Sequence, residues 1–334
     1  MNFTNLPIEN RLEVIRRTYA ATGLSPQIIE KDWWVTAVLR ALFSLPYAEH
    51  LSFKGGTSLS KCWNLIERFS EDVDIAVNRE FLGFFGTLSK TQISDRLRRS
   101  ACSFVREKLQ FDLVKQLENN GLSRNDFTIK VNITPISTTD PEIIEVEYDS
   151  LFSEENYIKS KVIVEVSGRS MNEPLQAVTL QSMIDEGFQN ENFTEKLFEV
   201  QAVVPERTFW EKICLLHEEL AKPQDLMRTE RMSRHLYDLV QIMDTPVAEK
   251  ALSDKKLYNS IAEHRRIFVG LKGFDYSTLV PKTINIVPPE HIIDLWKADY
   301  ETMQRTMIYG NSLPFNKLIE KIKQLNERIN QIDW

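Results

Sequence analysis

LSFKGGTSLSKCWNLIERFSEDVDIAV, residues 51–77, decides the fold. It reads as strand, glycine turn, short helix, strand. Leu51 to Phe53 form a short apolar strand. Lys54, Gly55, Gly56 and Thr57 form a turn, where adjacent glycines free the backbone to take positive φ and let a ligand come close. The spacing predicts a short helix over 58–66, with Leu59, Trp63 and Ile66 on one face and Arg68 closing it. The turn therefore presents backbone N–H groups at a helix start, where phosphate is favoured. On the next strand Ser70, Asp72 and Asp74 alternate with Glu71, Val73 and Ile75, so both aspartates share a face. Paired carboxylates beside a phosphate-sized site suit Mg²⁺, which takes oxygen ligands, keeps waters and is shared with substrate phosphates. The competing reading is an edge strand with solvated aspartates; the Gly-Gly turn just ahead of the pair favours the site.

The bulk numbers bound the rest. A chain of 334 residues predicts two domains, with one large domain as the alternative. With 42% hydrophobic and 27% charged residues, the composition is that of a soluble globular protein. The opening Met-Asn-Phe-Thr-Asn has neither the basic start nor the apolar run of a signal peptide, and no window reaches the ~18 apolar residues of a membrane helix. A cytoplasmic protein with no membrane partner is expected. Cys62, Cys102 and Cys214 are isolated and have no metal-ligand spacing, so buried free thiols in a reducing compartment are expected. A net charge of −7 argues against broad nucleic-acid binding and leaves room for a local basic patch.

Ahead of the central stretch, residues 5–22 predict an amphipathic helix with Ile8, Leu12, Ile15 and Tyr19 on its apolar stripe and Gly23 as its stop. Ser25-Pro26 starts a second helix to about Leu45. Within it Glu30, Lys31 and Asp32 read as a solvated face without chemistry. After Val77 come a Gly/Phe loop and a long helix over 91–118. Ile93, Leu97, Ala101, Val105, Leu109, Leu113 and Leu117 form its stripe. Alternating runs at 127–133, 143–148 and 157–166 predict strands. On the last, Val162, Val164 and Val166 face one way, and Ile163, Glu165 and Ser167 the other. A carboxylate amid β-branched residues is costly to bury without a cation, so Glu165 is either outward-facing or a third metal ligand.

From Pro205 the pattern turns helical. PERTFWEKICLLHEEL reads with Thr208 as N-cap and Glu211 completing a capping box; Phe209, Ile213, Leu216 and Leu220 make the stripe, with Lys212 on the surface. Arg228, Arg231, Arg234 and His235 lead into YDLVQIM. On one helix Arg231, Arg234, His235 and Asp238 share a face, which suits a polyphosphate or an RNA end and otherwise reads as a surface Arg–Asp pair. Helices follow near 247–252, 255–267, 290–308 and 315–331. The expected domains are 1–204, with the sheet and N-terminal helices, and 205–334, all helical.

GGTSLSK and RFSEDVD, with EKDWW (30–34), SGRSMNEP (167–174), RTFWEK (207–212) and SRHLYDL (233–239), resemble the nucleotidyltransferase toxins of the AbiEii/AbiGii type, within the DNA-polymerase-β-like nucleotidyltransferase superfamily. The resemblance spans most of the chain and is strongest at 53–77 and 205–240. It implies an α/β nucleotidyltransferase fold, with a mixed, mostly antiparallel sheet flanked by helices and a helical C-terminal domain. It implies an enzyme transferring NMP from an NTP with two Mg²⁺ held by Asp72, Asp74 and Glu165. Lys54, Gly55, Gly56, Thr57, Ser58, Ser70 and Lys212 would bind the nucleotide. Asp72, Asp74, Lys212 and Asp238 would be required for catalysis, and Arg169, Arg228, Arg231, Arg234 and His235 would hold RNA, with tRNA 3′ ends as the implied acceptor. Relatives act as toxins of toxin–antitoxin or phage-defence systems, so a separately encoded antitoxin is implied. The residues leave open transfer to a protein hydroxyl, which uses the same metal chemistry. A non-catalytic nucleotide or RNA binder would not need the intact Asp72 and Asp74. The base, the acceptor and the oligomeric state are not legible.

Overall fold

A computed structural model describes residues 1–70, 72–132, 142–153, 159–171 and 173–334. The chain forms two units: Met1–Cys62 with Phe69–Val203, and Trp63–Arg68 with Val204–Trp334.

The first unit is built on strands β1 (Leu51–Lys54), β2 (Asp72–Val77), β3 (Phe127–Asn132), β4 (Glu142–Tyr148), β5 (Lys161–Ser167), β6 (Leu175–Leu180) and β7 (Phe198–Val203). Among the described residues they form a seven-stranded sheet in the order β3-β4-β5-β2-β1-β7-β6. β2 runs parallel to β5 and β1 parallel to β7, while the other neighbours are antiparallel. The sheet is therefore mixed and mostly antiparallel, as expected. β6 and β7 were not anticipated from their sequences. Residues 133, 157 and 158, at the ends of two expected strands, lie outside the described residues.

Side-chain alternation gives this sheet two unlike faces. One is apolar and buried, with Val73, Ile75 and Val77 of β2 beside Val162, Val164 and Val166 of β5 and Ile144 and Val146 of β4. Helix α1 (Ile8–Thr22) and helix α2 (Pro26–Phe43) precede the sheet in sequence. The ring of Trp34 on α2 stacks on Tyr148 of β4 at 4.7 Å, which puts α2 on the apolar face. Ser25 caps α2 by accepting from the Ile28 amide, and Gly23, at φ +74°, ends α1. The other face is polar: Lys130 pairs with Glu147 at 2.5 Å and Lys161 with Glu145 at 2.7 Å.

Several local expectations are corrected. On α1 the buried residues are Val14, Ile15 and Thr18, whereas Ile8, Leu12 and Tyr19 are exposed. Glu30, Lys31 and Asp32 are not a solvated face; all three are buried. Glu30 accepts from the Ser150 hydroxyl and the Leu151 amide. Lys31 donates to the Lys159 carbonyl at 3.0 Å. Asp32 accepts from Lys61 Nζ at 2.5 Å and the Met183 amide at 2.9 Å. A charged triplet on a buried helix face is tolerable because each member finds such a partner. The helix after Gly55 is α3 (Gly55–Lys61), which starts and ends earlier than expected.

The helical run after β2 has the expected extent and buries all seven residues of the stripe from Ile93 to Leu117. Their strict four-residue spacing would drift by roughly 40° per step around an ordinary helix. The run absorbs this with π-helical turns at Gln92–Leu97 and Val105–Leu109, flanking α4 (Arg98–Phe104) and leading into α5 (Gln110–Asn119). Such widened turns bring the stripe back to one face. A short helix, α6 (Met183–Gly187), lies between β6 and β7.

The second unit is helical, with α7 (Pro205–Leu220), α8 (Ser233–Ile242), α9 (Pro246–Ser253), α10 (Lys255–His264), α11 (Ile293–Thr306) and α12 (Phe315–Asn330). α7 packs on α8, α9 and α10, and α8 packs on α11 and α12. α7 starts at Pro205, three residues before the expected cap, so Thr208 lies inside the helix. Trp63–Arg68, between α3 and β2 in sequence, belongs to this unit. Arg68 forms an antiparallel bridge with Ile308, and the Glu67 carbonyl accepts from the Tyr309 and Gly310 amides at 3.0 and 3.2 Å. Ile66 is thus buried here rather than on an extended α3, and Arg68 does not close that helix.

Candidate active site

In the first unit the carboxylates gather on the polar face of the sheet. Asp74 stands opposite Glu165 in the register of parallel strands β2 and β5, and Asp72, two residues earlier, projects from the same face. Lys54 at the end of β1 stands opposite Asp74 on the other side. All four are half-buried, whereas the residues alternating with them on β2 and β5 are buried. Asp74 reaches over the glycine turn. A Cβ on Gly55 would fall 1.9 Å from Asp74 Oδ2, and Gly55 has φ +81°. Only glycine satisfies both the left-handed backbone and the close approach.

The hydroxyls of the turn are used internally. Thr57 Oγ1 lies 2.5 Å from the Asp72 carbonyl and 2.9 Å from Ser70 Oγ, and Ser58 donates to the Gly55 carbonyl at 2.9 Å. Thr57 and Ser58 are buried. Thr57 thus braces the start of α3 against β2, and Ser58 bonds within α3 itself. Arg169 follows β5 and is half-buried, its amide donating to Ser167 Oγ at 3.3 Å.

The donor set fits a hard divalent cation: three carboxylates on adjacent strands of one face, with glycine leaving space for one of them. Among the described residues no three His, Cys, Asp or Glu side chains already converge on one point.

In the second unit the predicted residues of α7 and α8 meet. Asp238 is 0% exposed. Its Oδ1 accepts from Arg68 Nε at 2.7 Å, and its Oδ2 accepts from Arg68 Nη2 at 2.8 Å and Lys212 Nζ at 2.9 Å. Lys212 is buried rather than on the helix surface, its Nζ 3.4 Å from His235 Nδ1. Although burial opposes ionisation of Asp238, Arg68 and Lys212 hold its carboxyl well below the usual carboxylate range. Burial lowers Lys212 from the ordinary lysine range despite the opposing charge of Asp238. Burial, then the neighbouring Lys212 and Arg234 cations, push His235 well below its usual value, so it is neutral at pH 7.

The expected basic face is only partly assembled. Arg231 precedes α8, in a turn with φ +59°, and does not share the helix face with Arg234 and His235. Its amide donates to Asp299 at 2.7 Å. Arg228 is paired with Glu219 at 2.8 Å. His235 adds no charge. Arg68 is the residue that sequence reading passed over. A signal for it existed: Asp238 sits among Leu236, Tyr237, Leu239 and Val240, and a carboxylate in an apolar run demands a cationic partner.

Two classes of feature now define the protein: a mixed α/β sheet with a glycine turn feeding an Asp-x-Asp strand, and a helical unit with a buried Lys–Asp–Arg cluster. The profile of the family described as nucleotidyl transferase AbiEii toxin, type IV TA system, matches residues 37–323. The chain belongs to this family of nucleotidyltransferase toxins. Among solved structures, Helicobacter pylori JHP933 is similar at 15% identity over 92% of this chain and 94% of that one, with a TM-score of 0.44. A second H. pylori structure, described as that of a candidate nucleotidyltransferase, is 15% identical over 92% of this chain and 96% of that one, with a TM-score of 0.40. No curated protein matches the sequence. Among the described residues no helix is long and apolar enough to cross a membrane.

Proposed function

We propose that the protein transfers a nucleoside monophosphate from an NTP to the 3′ hydroxyl of an RNA, with tRNA as the first acceptor to test, and acts as the toxin partner of a separately encoded antitoxin. The observation that carries this reading is Asp72, Asp74 and Glu165 on one sheet face against the Gly55 turn. These carboxylates would hold two Mg²⁺, which when bound would supply activation of the attacking hydroxyl and charge neutralisation at the leaving pyrophosphate. The acceptor oxygen attacks the α-phosphorus, the bond to the bridging oxygen breaks, pyrophosphate leaves and the hydroxyl proton passes to solvent. Lys54 and the Gly55–Gly56 backbone orient the triphosphate, while Thr57 keeps the turn fixed against β2. Lys212 supplies a cationic phosphate contact. Arg169, Arg231 and Arg234 are the cations assigned to the RNA backbone, and Arg228 and His235 contribute less, for the reasons given above.

The test is transfer of label from each α-labelled NTP to purified tRNA, with intact and with periodate-oxidised 3′ ribose, beside total protein. Label on intact tRNA alone is the expected result. Label on protein, or on RNA with blocked 3′ ends, defeats the proposal.

A further inference from the structure

Asp238 was assigned to catalysis by resemblance, yet it is fully enclosed, with Arg68 forked across both oxygens and Lys212 on one of them. A carboxylate so placed does not meet a substrate. The groups facing Lys212 are Asp238, Arg234 and His235 from α8 and Arg68 from the segment preceding β2. Arg68 and Lys212 both bind Asp238, Arg234 adds positive charge near the lysine, and His235 is neutral.

We infer that Asp238 is a positioning residue: it acts through Lys212, holding that ammonium in place and cationic for a phosphate of the nucleotide, and does not itself touch substrate. The identity of the anion rests on the nucleotidyl-transfer reading. Burial, Arg68 and Arg234 all favour the uncharged amine, and Asp238 is the opposing charge that keeps the proton on Lys212. Arg68 fixes the carboxylate with a bidentate fork, so Asp238 cannot swing away from the lysine.

Two measurements test this on the full chain. The first follows Lys212 protonation by NMR of ¹⁵N-lysine protein, its signal assigned through Lys212→Arg. In Asp238→Asn, Lys212 should lose its proton at lower pH than in the wild type. The second is binding of inorganic tripolyphosphate as a function of pH. Wild-type affinity should stay flat near neutrality, while that of Asp238→Asn should fall about tenfold per pH unit above the new lysine pKa. Asp238→Asn/Lys212→Arg should be flat again, because arginine keeps its charge. Equal titration of Lys212 in wild type and Asp238→Asn overturns the inference. So does a binding loss in Asp238→Asn that is the same at every pH. A transfer assay on the wild type, run alongside, separates the two ideas. Intact transfer with an unmoved lysine sinks only the inference, whereas absent transfer with a shifted lysine sinks the transfer reading and supports the action of Asp238 on Lys212.

Discussion

A Cβ on Gly55 would stand 1.9 Å from Asp74 Oδ2, so the glycine turn and the Asp-x-Asp strand are fitted to one another by a missing side chain. Gly55→Ala must therefore both strain a left-handed residue and displace the carboxylate. The expected loss is about 2–4 kcal/mol of stability, from αL strain and overpacking together, with a larger loss of nucleotidyl transfer than of folded protein. Gly187→Ala is the control, since nothing lies within 4 Å of its Cβ and its φ is ordinary. Denaturant melts and transfer assays on both variants check this; a Gly55→Ala protein as active as Gly187→Ala would contradict it.

Asp72→Asn and Asp74→Asn should abolish transfer and leave the fold intact or slightly more stable, because like charges on one strand face repel when no cation is present. Mg²⁺ should raise the wild-type melting temperature and do so less in either variant. The check is a thermal melt with and without Mg²⁺. Equal Mg²⁺ stabilisation in all three proteins would remove these aspartates from the metal site.

Removing Arg68 takes the bidentate fork from buried Asp238 and leaves Lys212 as its cation. Arg68→Met should cost about 1.5–3 kcal/mol, the usual worth of hydrogen bonding to a charged group. Folded Asp238 titrates below its unfolded value, so its contribution is present above the ordinary carboxylate pKa and disappears as pH falls through the folded one. Urea melts near neutral pH measure the cost. A change below about 0.5 kcal/mol, the range of ordinary surface substitutions, would mean the pair is not structural.

His235 and His217 both titrate below the usual histidine value, burial being the leading cause for each. The unfolded chain binds their protons near pH ~6.5 and the folded chain does not, so stability rises with pH through that region. The wild type should lose stability on acidification below about pH 6.5. His235→Gln should flatten the larger part of that slope, and His217, which accepts from the Asn285 amide at 3.0 Å, should account for a smaller part. Unfolding free energy measured across this range decides; an unchanged slope in His235→Gln would place the protonation elsewhere.

Arg231 is exposed, and its backbone amide donates to Asp299. Arg231→Gln should change stability by less than about 0.5 kcal/mol. It should weaken RNA binding and reduce the log–log salt slope by about 0.7, the value for one phosphate of a single strand. Filter binding over a salt series reads both. An unchanged slope would exclude Arg231 from the RNA contact.

The sequence by itself determined what depends on near neighbours. Strand alternation put Asp72 with Asp74 and separated Glu165 from Val164 and Val166, because adjacent side chains on a strand must point to opposite faces. Helix starts and stops at Ser25, Pro26 and Gly23 were legible because capping is local hydrogen bonding. The motifs carried the family. Only the tertiary structure decided which distant groups pair, since burial and ion pairing depend on segments far apart in sequence. Glu30, Lys31 and Asp32 look solvated in isolation and prove buried, because Ser150, Lys159, Lys61 and Met183 come to meet them. Ile8, Leu12 and Tyr19 form a proper apolar stripe yet stay exposed, as neighbouring elements cover another face of α1. Arg68 reads as the end of a helix until α8 is packed, and then it becomes the partner of a carboxylate 170 residues away. The same packing turned Lys212 from a surface lysine into a buried cation and enclosed Asp238 between it and Arg68.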